Sequence, residues 1–112
     1  FTPKGGPPLH IHPNQDEYFY VLEGEYQFQV DQTRYHLSPG DTIFLPRNIQ
    51  HAFIQLTEKA RVLVSYTPAG KMESFFETTD SWTSSPGDDL IKKTFADHGM
   101  IVVGPPLKED PN

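Results

Sequence analysis

The sequence predicts an all-β fold of many brief strands with a short helix near the C-terminus, and three observations carry that reading. Eleven prolines and eight glycines punctuate short hydrophobic runs along 112 residues, the pattern of brief strands joined by tight turns. The run Glu25-Tyr-Gln-Phe-Gln-Val30 alternates polar and apolar residues strictly, so one strand face buries Tyr26, Phe28 and Val30. After Ser85 the spacing turns helical: Leu90, Ile91, Thr94, Phe95 and His98 form one stripe, expected to pack on the β-core.

The elements follow in order. Strands are expected at about 8–12, 17–23, 25–31, 34–37, 42–46, 51–56 and 61–67. Pro13-Asn14-Gln15-Asp16 is a turn-forming stretch that lets the chain return beside the first strand. Glu23-Gly24 reads as the turn of a hairpin, and Ser38–Asp41 and Thr57–Ala60 read as further turns. Residues 70–80 show no clear period and stay open between a loop and a short helix carrying Phe75 and Phe76. The later helix has Ser85 as its cap, Pro86 in its first turn, Asp88 and Asp89 complementing the dipole, and Gly99 at its end. Met100–Val103 is a last short strand before a Pro-rich tail.

Composition narrows the function classes. The chain has room for one domain, and a chain of this size buries roughly two-thirds of its unfolded surface. Eight Phe, five Tyr and one Trp supply much of the buriable area. A formal charge of −6 argues against a nucleic-acid or anionic-membrane surface, and no apolar run reaches the length that spans a bilayer. The absence of cysteine excludes disulfides, thiolate metal sites and cysteine nucleophiles. It also fits a cytoplasmic location, which is the expectation. No secretory signal is legible at the N-terminus, and the chain opens on Phe1 rather than Met, which leaves a longer native N-terminus open.

The chemistry gathers at four residues. His10 and His12 are one residue apart in a strand, so they project from the same face, about 7 Å apart along it. Glu17 follows the turn, and His51 comes from a Pro/Gly-marked segment downstream. Three neutral imidazoles and one carboxylate suit one divalent ion per chain (Fe, Ni, Mn, Cu or Zn) with positions left open for substrate. Asp16 is a rival to Glu17, because a one-residue slip turns it inward instead. His36 and His98 read as surface or hydrogen-bonded residues, and the helix dipole alone accounts for His98.

His10-Ile-His12-Pro-Asn-Gln-Asp-Glu17-Tyr-Phe-Tyr-Val-Leu-Glu-Gly24 has the form H-x-H-x4-E-x6-G, and Gly40-Asp-Thr-Ile-Phe-Leu-Pro46-Arg-Asn48-Ile-Gln-His51 has the form G-x5-P-x-N-x2-H. Together these resemble the two motifs of the cupin superfamily, and the tail is similar to single-domain, quercetin-dioxygenase-like members. The resemblance implies a jelly-roll β-barrel, with residues 1–68 as the barrel core and 69–112 as a loop, helix and tail on the same domain. It also implies His10, His12, Glu17 and His51 as metal ligands. Three positions depart from the family pattern: Lys4 stands where Gly usually opens the first motif, Asn48 where Gly is frequent, and Gln55 where Asn is. Asn tolerates the left-handed backbone, so Asn48 can replace Gly in its turn.

Strand parity then extends the site. If Glu17 faces inward so do Phe19 and Val21, and if His51 does so do Phe53 and Gln55. A cavity lined by Phe19, Val21, Phe28, Phe53 and Gln55 suits a flat aromatic or otherwise hydrophobic small molecule with a chelating oxygen pair. The expected activity is that of a metal-dependent dioxygenase, with Glu17 as general base. The competing expectations are a non-enzymatic sugar- or effector-binding module and a redox-neutral Zn lyase or isomerase. Tyr18, Tyr20 and Leu22 make the opposite strand face unusually apolar. It is expected to be covered by the C-terminal segment or, in a homodimer, by a second subunit. Arg47 reads as solvated, or as a holder of a substrate carboxylate.

Overall fold

Two antiparallel sheets face each other, and the chain crosses between them at most of its corners. A computed structural model describes residues 5–82 and 86–110. The larger sheet holds β1 (Pro8–Ile11), β3 (Tyr26–Val30), β4 (Thr33–Leu37), β6 (His51–Gln55) and β8 (Ile101–Pro106) in the order β4-β3-β6-β1-β8. The smaller holds β2 (Asp16–Glu23), β5 (Thr42–Leu45) and β7 (Arg61–Thr67) in the order β5-β2-β7. This is jelly-roll architecture, but among the described residues no strand ladder joins the sheets, so they form a sandwich rather than a closed barrel.

Two expected returns are therefore crossings. The turn after β1 does not bring β2 alongside it: β1 pairs with β6 and β8, and β2 pairs with β5 and β7. Likewise β2 and β3 are not a hairpin. Gly24, at φ +86, turns the chain from one sheet to the other. A Cβ there would lie 2.6 Å from the Lys59 carbonyl oxygen and 2.8 Å from the Ala60 Cβ. The corner is thus wedged against the β6–β7 turn, where only glycine fits. The hairpin is β3–β4, turned at Asp31 (φ +51) and registered from Tyr26↔Leu37 to Val30↔Thr33.

The interior follows strand alternation. Glu17, Phe19 and Val21 are buried on β2, while Tyr18, Tyr20 and Leu22 face out. The facing sheet contributes Tyr26, Phe28 and Phe53, and the Phe19, Phe28 and Phe53 rings stand 5.0–5.4 Å apart. That is ordinary edge or tilted aromatic packing. Strand β6 is buried on both faces. On the outer side of the neighbouring β3 the C-terminal tail is tied to the sheet: the Gln27 amide donates to the Asp110 carbonyl at 2.7 Å and accepts from the Asp110 amide at 2.8 Å. The tail therefore lies on the β3–β4 end of the larger sheet. It does not cover the apolar face of the smaller one, where Tyr18, Tyr20, Leu22, Phe44 and Leu63 remain exposed.

Two helices follow β7. The aperiodic segment forms α1 (Met72–Asp80), which buries Met72 and Phe75. Helix α2 (Asp88–Asp97) begins with Gly87 at its cap; Ser85 lies outside the described residues. Asp88 and Asp89 do occupy its first turn. Gly99 ends it at φ +83, with the Met100 amide donating to the Phe95 carbonyl at 2.9 Å, as in a Schellman turn. The stripe is narrower than expected. Thr94 and Phe95 are buried and Ile91 packs against the cluster that Phe95 enters, but Leu90 is 46% exposed. β8 then pairs with β1 through Pro106, longer than the expected 100–103. Its prolines sit on a sheet edge, where a missing donor costs no ladder bond.

Candidate metal centre

The crossing between β1 and β2 builds the site. His10 is on β1 of one sheet, His12 lies just past its end, and Glu17 is on β2 of the facing sheet. The carboxylate thus reaches the histidines across the sandwich, not from a neighbouring strand. His51 opens β6 directly opposite His10 in register, with ring centroids 4.4 Å apart. The loop leading to His51 turns at Asn48, whose φ of +70 is the left-handed conformation, and the Asn48 amide donates to the His12 carbonyl at 2.9 Å. Asn thus fills the turn that glycine commonly takes.

One donor atom from each of His10, His12, Glu17 and His51 lies within 4.8 Å of every other, and all four residues are buried. Two ligands at roughly 2.1 Å from one ion stand at most about 4.2 Å apart, so a shift of under about 1 Å brings the four onto a common cation. Each imidazole is oriented from behind. His10 Nδ1 donates to the Pro8 carbonyl at 2.7 Å, His51 Nδ1 to the Ile49 carbonyl at 3.1 Å, and His12 Nδ1 to Gln15 Oε1 at 2.6 Å. All three rings therefore present Nε2 inward, the arrangement in which a second hydrogen bond fixes a metal-binding histidine. Asp16 is turned outward, where its carboxylate takes the Arg47 backbone amide at 2.8 Å and the guanidinium at 3.2 Å. Those bonds hold Asp16 below the usual carboxylate range, while the Arg47 side chain stays solvent-exposed, as expected, and pairs with Asp16 at the surface.

The residues fit a cation. His12 Nε2 is fully buried and has no hydrogen-bond partner among the described residues; Glu17 Oε1 is 3.3 Å away but poorly aligned. A buried, unpaired nitrogen is costly, and a metal bond satisfies it. Glu17 Oε1 also lies 2.9 Å from His51 Nε2, a contact that a proton or a cation must bridge. Burial, then the neighbouring His51, pushes the His10 pKa well below its ordinary value. Burial lowers His12 too, against the opposing pull of Glu17 and Gln15. Both rings are thereby kept neutral, the form that ligates.

A cavity of about 890 Å³ opens onto His10, His12 and Glu17. His51 is not on its wall and completes the set from beneath. Of the expected lining, Phe19, Phe53 and Gln55 face this cavity. Val21 and Phe28 do not: both are wholly buried in the cluster between the sheets, since alternation sets a residue's face and not its depth. Gln55 turns its amide away, donating to the Thr57 carbonyl at 2.9 Å. Much of the rest of the wall comes from residues beyond the two motifs, including Tyr66, Met72, Phe75, Phe76, Trp82 and Phe95. Tyr66 is opposite Glu17 in register. Burial first, then the Glu17 charge and hydrogen bond, drives its hydroxyl far above the ordinary range. His36 and His98 stay apart from the site: His36 pairs with Glu25 at 2.7 Å, and His98 donates to the Thr94 carbonyl at 2.7 Å.

Comparisons with known proteins agree with this fold. The chain is 33% identical to the quercetin 2,3-dioxygenase of Bacillus subtilis over 69 residues, 62% of this chain but 20% of that enzyme. A Silicibacter pomeroyi structure described as a sugar phosphate isomerase from a cupin superfamily superposes with a TM-score of 0.54 at 30% identity, covering 59% of this chain and 45% of that one. KdgF from Halomonas sp. superposes with a TM-score of 0.54 at 23% identity, covering 59% and 60% of the two chains, a likeness of fold alone. The family model for the cupin domain matches residues 1–66. That is more than half of the sequence and takes in both motifs, so this chain belongs to the cupin family.

Proposed function

We propose that this cupin is a metal-dependent dioxygenase acting on a small aromatic or enol-type molecule. The observation that carries the reading is four buried donors meeting at the floor of a large, mainly apolar cavity. A divalent ion held by His10, His12, His51 and Glu17 would supply Lewis acidity toward an enol or phenol oxygen and, if redox-active, a route for electrons to dioxygen. The chain's own residues do the rest. Phe19, Phe53, Phe75 and Phe95 offer ring faces and edges to a flat substrate and keep water from the reacting carbon. Glu17 accepts the substrate's hydroxyl proton as general base. The Tyr66 hydroxyl, bonded to Glu17 and strongly resistant to ionisation, steadies that carboxylate without competing for the proton.

The similarity to a protein described as a sugar phosphate isomerase favours a second reading, a redox-neutral isomerase. The cavity argues against it. A phosphorylated sugar needs cationic and hydroxyl partners, and Arg61 is the one lysine or arginine among the described lining residues. Oxygen uptake with flavonols, catechols and β-diketones separates the readings. The iron-, nickel-, manganese- or copper-loaded protein should consume oxygen with at least one of these classes. No uptake by any loaded form would leave a binding module or a zinc isomerase. Glu17→Gln should lose turnover more than substrate binding; equal loss of metal would reduce Glu17 to a ligand.

We further propose a homodimer formed across the smaller sheet, whose outer face exposes Tyr18, Tyr20, Leu22, Phe44 and Leu63 with no covering segment among the described residues. Leu63→Lys should turn a dimer into a monomer in light scattering, and a wild-type monomer would refute the pairing.

A further inference from the structure

We infer that Gln15 is a positioning residue that aims His12 at the metal and ties occupancy of the site to the seating of α1 over the cavity. This rests on the metal-centre reading above. Gln15 is 6% exposed and lies between His12 and the Pro68–Ala69 backbone. Its Oε1 accepts from His12 Nδ1 at 2.6 Å, and its Nε2 donates to the Pro68 carbonyl at 2.7 Å and the Ala69 carbonyl at 3.2 Å. The two carbonyls fix which end of the amide is nitrogen, so His12 must be the donor and its Nε2 carries the free lone pair. That is the same nitrogen left unpartnered in the buried site.

The other side of the amide reaches α1. The Ala69 carbonyl also accepts the Met72 amide, at 3.3 Å, which opens that helix. Gly70 turns between them at φ +55, so close to Gln15 that a Cβ would stand 3.1 Å from Nε2. Helix α1 is nine residues long and has no side-chain cap, too short to persist on its own propensity. Its order depends on tertiary anchors, and Gln15 anchors its first turn. From this helix Met72, Phe75 and Phe76 enter the cavity wall. An ion that immobilises His12 immobilises Gln15, and through it the start of the roof. The amide is the essential group: one atom must accept and its neighbour must donate.

Two variants take the halves apart, with Co²⁺ as the probe in the full chain. Wild type should bind Co²⁺ with a ligand-field absorption band, and loading should slow amide hydrogen exchange across residues 72–80. Gln15→Leu removes both functions, so the Co²⁺ Kd should rise roughly 10–100-fold and exchange in α1 should be fast with or without the ion. Gln15→Glu, assayed at a pH where the carboxyl is ionised, keeps the acceptor for His12 but offers no donor to Pro68 and Ala69. Its Kd and band should stay within roughly threefold of wild type while loading no longer slows α1. If Gln15→Leu fails to fold, Gln15→Glu alone decides the coupling. Wild-type affinity in Gln15→Leu, or α1 exchange in wild type indifferent to Co²⁺, would overturn the inference while leaving the metal centre intact. So would full coupling in Gln15→Glu. No Co²⁺ binding by wild type would overturn the metal reading itself, and this inference with it.

Discussion

Between the sheets, Phe19, Val21, Tyr26, Phe28, Leu37, Leu45 and Phe53 form one buried cluster; beneath the helices, Met72, Phe75, Phe95 and Met100 form another, with Tyr66, Ile91 and Val102 against it. The first is framed by strands in fixed register, so each side chain's position is set by a ladder on at least one side. The second is framed by two short helices with no ladder between them. The metal centre lies at the seam: the His10 ring meets Phe95 edge-on at 5.2 Å, and His12 is 5.8 Å from Tyr66. All four donors belong to the strand-framed half or its immediate corner, whereas much of the cavity wall belongs to the helical half. Ligand geometry is thus held rigidly, and the shape of the pocket is left to an element that can shift.

Substitutions in the two clusters should therefore differ in kind. Phe28→Ala, at 0% exposure, should cost about 3–5 kcal/mol in chemical denaturation. It should take metal affinity with it, because β3 pairs directly with the strand carrying His51. His51→Ala should weaken metal binding more than about 100-fold, since losing a ligand exceeds losing its outer support, yet leave the strand ladders and the circular dichroism spectrum intact. Phe75→Ala should cost less than Phe28→Ala, at the low end, about 3 kcal/mol, because a helix can settle into the space. It should alter substrate preference and weaken metal binding far less than Phe28→Ala does, through the α1 coupling alone. Equal destabilisation by Phe28→Ala and Phe75→Ala would erase the distinction between the clusters.

Acid sharpens it further. His10 and His12 have lowered pKa values in the folded protein, chiefly through burial. Below the unfolded value of about 6.5 the unfolded chain therefore binds more protons. Stability present above that pH should be lost progressively as pH falls through it, and a bound ion should be released over the same descent. A pH-stability curve for His10→Phe should be flatter, and an unchanged slope would contradict the assignment. Least affected should be Leu90→Gln, on the exposed first turn of α2, with a melting temperature within error of wild type.

How much of this was legible in the sequence follows from the same contrast. Strands announce themselves through alternation, so Glu17, Phe19 and Val21 could be assigned to one face, and the histidines grouped, without coordinates. Whether a turn returns a strand or throws it onto another sheet depends on what the corner meets. Gly24 is required by the Lys59 carbonyl, a residue far along the chain, and no local pattern reports that. Depth was equally hidden, which is why Phe28 and Val21 were expected on the cavity wall. Gln15 read as one residue in a polar turn, since its carbonyl partners come from the end of β7. The aromatic pair Phe75-Phe76 signalled burial but gave no direction, because α1 takes its orientation from the cluster and not from its own period.

The central claim is tested most directly by a crystal structure of the protein recorded with anomalous scattering across candidate metal edges. The account predicts one peak bonded at about 2.0–2.2 Å to Nε2 of His10, His12 and His51 and to a carboxylate oxygen of Glu17. A peak elsewhere, or none with His12 Nε2 bonded to an ordered water, would contradict it.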